Sequence, residues 1–135
     1  MTDRAPLVKD IEADVDAVAA GADASTTVGR APFAGIVTAV TYTPNAQLNG
    51  ADTDTRTVSI INKGQDGNGT TSVASKAFTS GVNANDFDET TITLSGTAGH
   101  LDVAEGDILA FVSAHGGSTG LADPGGHVKV SISRS

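Results

Sequence analysis

The side chains best suited to chemistry in this 135-residue chain are His100, His115 and His127, set among many hydroxyls and carboxylates. An imidazole beside a Ser or Thr hydroxyl and an acid would make a nucleophilic hydrolase, since the ring takes the hydroxyl proton and the acid orients the ring. The serines here read as solvated hydroxyls of strands and turns rather than as nucleophile elbows. His115 and His127 stand twelve residues apart, at opposite ends of one connection, with His100 elsewhere, which is loop placement rather than zinc-ligand spacing. Most of the 13 Asp adjoin Gly, Asn or Ala and read as turn formers rather than as a catalytic acid and its partner.

Two glycine-containing patterns invite a ligand and fall short of one. Asp66-Gly67-Asn68-Gly69 has the alternating oxygen ligands and the turn glycine that open a calcium loop, but residues 70 to 77 hold no Asp or Glu to close it. The glycines at 64, 67 and 69 lack the Lys-Ser/Thr ending and the following helix that would aim amides at a phosphate, so the stretch reads as a flexible hairpin tip. Aromatic platforms for sugars or bases are scarce. The chain has only Phe33, Phe78, Phe87, Phe111 and Tyr42, with no Trp, and their strand positions predict burial for most. No catalytic residue, metal site or cofactor is therefore expected.

The composition describes the scaffold behind these residues. With 13 Val, 7 Ile and 17 Thr against 6 Leu, β-branched side chains dominate, which suits pleated surfaces. Sixteen Gly, and acids divided as 13 Asp to 3 Glu, supply many tight turns. Leu, Ile, Val and Phe make up only 30 of the 135 residues, so the core is thin and oligomerisation would help it. The length suits one domain with a short arm. Eight basic residues against 16 acidic ones, a formal charge of -8, argue against nucleic acid and against an acidic lipid surface as partners. Charges at Asp3, Arg4, Lys9 and Asp10, and no apolar run near the roughly 18 residues of a membrane span, predict a soluble product without a targeting segment. The chain has no cysteine, which is compatible with either redox environment.

Two regions follow from the patterning. Over residues 1–24, Leu7, Ile11, Val15 and Val18 recur at the spacing of an amphipathic helix, while Asp10, Asp14, Asp16 and Ala19-Ala20-Gly21 suit an extended arm; both readings stand. Residues 25–135 show short apolar runs bounded by turn residues: Thr26 to Arg30, Gly35 to Thr43, Thr55 to Asn62, Ser72 to Phe78, Thr90 to Leu94, Asp107 to Ser113 and His127 to Ser133. Asn49-Gly50 marks a turn between two of them. Ile108 to Val112 is apolar without a break and predicts a central strand covered on both faces. The last run alternates, with Val128, Val130 and Ile132 inward. An all-β antiparallel sandwich of jelly-roll type is the expected fold, with an immunoglobulin-like sandwich as the nearest alternative.

Three stretches carry a family likeness: Gly29-Arg30-Ala31-Pro32-Phe33-Ala34-Gly35-Ile36-Val37-Thr38-Ala39-Val40-Thr41-Tyr42, Asn62-Lys63-Gly64-Gln65-Asp66-Gly67-Asn68-Gly69-Thr70, and Gly120-Leu121-Ala122-Asp123-Pro124-Gly125-Gly126. Together they resemble small structural proteins of tailed bacteriophages, head decoration (cement) proteins in particular, and the likeness runs from about Pro6 to Arg134 with Leu101 to Asp107 also in place. The resemblance implies a non-enzymatic virion protein, made in the host cytoplasm. It would bind the outer surface of the capsid as a homotrimer, with the major capsid protein as partner, and stabilise the shell. On that reading the arm residues Arg4, Pro6, Leu7, Val8 and Lys9 are the expected capsid contact, because an arm that orders on docking can reach across a capsomer boundary. The competing reading is a tail-fibre or receptor-binding jelly-roll module that holds a host sugar with loops such as Gln65 to Thr70 or His115 to Gly120. A hydrolase built on a β-sandwich is a third class.

Overall fold

Alternating β-branched and hydroxyl residues carry straight through to the backbone: the computed structural model describes residues 7–134, and its regular structure is entirely β. In chain order the strands are β1 (Val8–Val15), β2 (Ala24–Arg30), β3 (Gly35–Pro44), β4 (Leu48–Asn49), β5 (Thr55–Gly64), β6 (Thr71–Phe78), β7 (Asn83–Ala84), β8 (Thr90–Thr91), β9 (Asp102–Val103), β10 (Ile108–Gly116) and β11 (Gly126–Arg134). The segment left open between helix and arm is therefore a strand from Val8 onward. Its apolar residues Ile11, Ala13 and Val15 turn to the core while Asp10, Glu12 and Asp14 face out, a period of two that the four-residue stripe concealed.

One antiparallel sheet runs β1-β11-β3-β8, with the short β9 also on β3, and the other runs β2-β10-β5-β6. β10 lies between two neighbours, as its unbroken apolar run requires, and Leu109, Ala110 and Phe111 are buried. Val37, Val40, Tyr42, Val128, Val130 and Ile132 from the first sheet meet Val28, Val58, Ile60, Val73, Phe78, Leu109 and Phe111 from the second. The Tyr42 and Phe111 rings meet across the gap in a tilted contact, centroids 5.2 Å apart and planes at 42°.

The run from Thr90 to Leu94 does not stay in one sheet. Thr90 and Thr91 pair with β3 and the Ile92 amide donates to Val40 at 2.9 Å, after which Ser75 donates to Thr93 and Ser95 to Val73 on the far sheet. This segment thus stitches the β3 flank of one sheet to the β6 flank of the other, and the two sheets curl toward a half-barrel. On the opposite flank β1 and β2 lie close without a pairing between them among the described residues. Asn49-Gly50 also departs from expectation: Asn49 pairs with Asn83 in a small ladder, and Gly50 is required by close approach, since a Cβ there would lie 1.8 Å from the Thr79 carbonyl oxygen.

Candidate functional site

Side-chain exposure singles out the outer face of the first sheet at the start of β1. Cross-strand register puts Val8, Ser133 and Ile36 in one row on β1, β11 and β3. Val8 is 53% exposed and Ile36 43%, and Leu7, next to Val8, is also exposed while its carbonyl accepts the Arg134 N–H at 2.8 Å. Lys9 is exposed at the rim. Of the expected contact residues, Val8 lies on this outer face, Leu7 adjoins it just before the strand, and Lys9, opposite the buried Ile132, alternates to the other side of the sheet; Arg4 and Pro6 lie outside the described residues. Sequence reasoning missed Ile36. Its signal was present: Ile36 and Val37 are adjacent in a strand, so when Val37 turns inward, to 1% exposure, Ile36 must turn out.

Further along the same face, β1 presents Asp10, Glu12 and Asp14 opposite Ser131, Lys129 and His127 of β11. Ser131 donates to Asp10 at 2.6 Å, and Lys129 reaches Glu89 at 3.6 Å. The His127 ring lies against both Glu12 and Asp14.

At the other end of the sandwich a buried polar network fixes the loops. Arg56 alternates in phase with Val58 and Ile60, so its side chain points into the core and is 0% exposed. Its guanidinium donates to the carbonyls of Leu121, Ala22 and Ala19 and to Ser113 Oγ. Ser113 Oγ in turn donates to Asp123 at 2.7 Å, and Asp123 also accepts the Tyr42 hydroxyl at 2.5 Å and the Gly125 N–H at 3.0 Å. Burial, then the hydrogen bond to Asp123, pushes the Tyr42 phenol well above its ordinary value. A pocket of about 150 Å³ opens beside this network, on the unpaired β1–β2 flank, between Asp16, Val18, Ser25 and Phe111.

The three histidines are held apart by separate partners. His100 contacts Ser95 Oγ at 3.2 Å, and His115 meets Asp23 through its ring at 2.7 Å and its backbone N–H at 2.9 Å. The His115 backbone N–H, then its ring, hold the Asp23 carboxyl below the usual range. Gly116-Gly117-Ser118-Thr119-Gly120 has the letters of a Gly-x-Ser-x-Gly elbow, which the reading of the serines passed over. Here it follows β10 as a loop with no helix after it, and Ser118 makes no hydrogen bond to the neighbouring His115 ring. In the Gln65–Thr70 tip, Asp66 accepts the Asn68 N–H at 3.3 Å as a local turn. No group of three or more His, Asp or Glu among the described residues is arranged to hold a metal ion. Phe33, Phe78, Phe111 and Tyr42 pack in or against the core, whereas Phe87 is 75% exposed on left-handed backbone, φ 56°. In comparisons with known proteins, no family model and no curated sequence matches the chain.

Proposed function

We propose that this chain is a tailed-phage head decoration protein, a jelly-roll domain that adheres to the outer surface of the capsid through the start of β1 and reinforces the shell as an oligomer, a trimer on the family reading. The observation that carries the proposal is the exposure of Val8 and Ile36 in one cross-strand row of the first sheet, with exposed Leu7 beside Val8 at the beginning of edge strand β1. Water-facing aliphatic side chains grouped on a strand edge favour protein contact, by burial of the patch or by added strand pairing. Partners on this reading are the major capsid protein and further copies of the chain, and the work is adhesion, which needs no active site. The phage assignment itself rests on the resemblance of the three quoted stretches.

The strand order supports the jelly-roll part of the reading. Taking β1, β2, β3, β5, β6, β8, β10 and β11 as eight successive strands, the first pairs with the last, the second with the seventh, the third with the sixth and the fourth with the fifth. That is the pairing of one long hairpin rolled into two sheets. A formal charge of -8 on each copy would keep a densely covered particle soluble.

The test is labelling of purified virions with an antibody to this chain, together with binding of the protein to expanded shells. Label scattered over the head, and binding lost in a Val8→Asp, Ile36→Asp double variant whose thermal unfolding is unchanged, is the expected result. Label confined to the tail tip would replace this reading with the receptor-binding one. Phe87 favours that alternative, because an aromatic face held out to solvent suits stacking on a sugar ring.

A further inference from the structure

His127 touches a carboxylate with each of its ring nitrogens: Nε2 lies 2.7 Å from Glu12 Oε1, and Nδ1 lies 2.8 Å from Asp14 Oδ1. A neutral imidazole has one N–H and one bare lone pair, and a lone pair at that distance from a carboxylate oxygen is repelled by it. Both contacts are favourable together only when both nitrogens carry protons, since each then donates to a carboxylate oxygen; Glu12 and Asp14 are about half and almost fully exposed. We infer that His127 is a proton-operated clasp that fastens edge strand β1 to β11 while charged and slackens it on losing its proton.

The surroundings agree with this assignment. From β1 the ring faces Glu12 and Asp14, with Asp10 farther along and already bonded to Ser131. From β3 its register partner is Thr43, which carries no charge. On its own strand Lys129 is the nearby cation, and its ammonium turns to Glu89. Once the ring is neutral, Asp10, Glu12 and Asp14 form a row of like charges with no imidazolium among them, on an edge strand whose backbone pairs on one side alone, to β11, and whose other hold is the packing of Ile11, Ala13 and Val15. Hydrogen bonds to Glu12, then to Asp14, hold the ring's proton above the ordinary histidine value of 6.5, against the opposing effect of burial. A folded ring that binds its proton more tightly than the unfolded one fastens fully below about pH 6.5 and loses hold as pH rises through the elevated value. Because Leu7 and Val8 begin this strand, the clasp would regulate the proposed contact surface. That use rests on the decoration reading, whereas the clasp itself does not.

The test uses the whole chain, free in solution. A ¹⁵N titration of the His127 ring is expected to show both nitrogens protonated at pH 6.5 and a midpoint above it. Hydrogen exchange of β1 amides, referenced to β5 amides in the same samples from about pH 6 to about pH 9, should lose about tenfold in relative protection for each unit by which the midpoint exceeds 6.5. His127→Gln should remove that pH dependence and leave β5 unchanged. A ring that titrates at or below 6.5, or β1 protection that stays level with β5 across the range in the native protein, overturns the inference. Both native measurements stand even if the variant does not fold. Neither involves a capsid, so failure of the decoration reading leaves a distinct result.

Discussion

Replacing Arg56 with Met keeps a long side chain in the core and deletes every hydrogen bond the guanidinium makes. In the native protein its N–H groups reach Leu121 O at 2.8 Å from Nε, Ala22 O at 2.9 Å and Ser113 Oγ at 3.3 Å from Nη1, and Ala19 O at 3.1 Å plus Leu121 O from Nη2. The variant leaves three carbonyls short of a donor, each costing about 1 kcal/mol where loops at the end of the sandwich can admit some water. Asp123 also loses the guanidinium relayed to it through Ser113, and disruption of a buried charge network brings the expected loss to about 3–5 kcal/mol. For a chain of this length that is a drop in Tm of about 10–18 °C. Arg56→Lys keeps the charge without the planar fork and should fall between, near about 2 kcal/mol. Urea unfolding with linear extrapolation measures both. A loss below about 1 kcal/mol for Arg56→Met, at an unchanged m-value, would refute the idea that this side chain holds the 15–24 and 117–125 loops onto the sandwich.

Other expectations follow from single contacts. Tyr42 is the only tyrosine, so phenolate absorbance reports it alone; no phenolate should form near the free value of 10 while the fold persists, and stability should decline as pH rises above that value. Reversible titration near 10 with intact near-ultraviolet dichroism would contradict its burial. Asp107 is pushed up by burial but held below its ordinary value overall by the Ala104 N–H, then Asn62 and Gln65, so it stabilises the fold above about pH 4 and loses effect as pH falls through its lowered value. Asp107→Asn should cost about 1–2 kcal/mol at neutral pH and flatten the acid limb of the stability profile, as followed by denaturation at several pH values. Gly50→Ala, which would press a methyl against the Thr79 and Val82 carbonyls, should cost about 2–3 kcal/mol, and an unchanged Tm would show that this loop yields easily.

Much of the architecture was legible because it depends on local alternation. Six of the seven runs from Thr26 to Ser133 fall on long strands of the two sheets, the run from Thr90 to Leu94 being strand only over its first two residues, and Val128, Val130 and Ile132 are fully buried as their spacing required. The first strand was ambiguous because Leu7, Ile11 and Val15 satisfy a four-residue period and a two-residue period equally well. What the pattern could not carry was partnership across the chain. Nothing local says that Thr90 to Leu94 changes sheets, since that depends on which flanks are left open once the other strands have paired. The polar network was equally hidden: Arg56 in phase with Val58 was a visible warning of an inward charge, but Asp123 and Tyr42, 67 and 14 residues away, meet it only through Ser113 in the finished fold. His127 looked like an ordinary surface residue because Glu12 and Asp14 stand more than a hundred positions earlier.

The two flanks of the sandwich are closed unequally, and this gives the molecule a preferred direction of breathing. Where the 90–95 segment crosses, separating the layers means rupturing backbone bonds to both. Where β1 and β2 merely lie alongside, the layers part by sliding side chains, and the 150 Å³ recess at that margin is already the beginning of a gap. Parting of the layers is therefore expected to begin at the β1 margin rather than at the crossing, and water and small apolar guests such as xenon would enter first there.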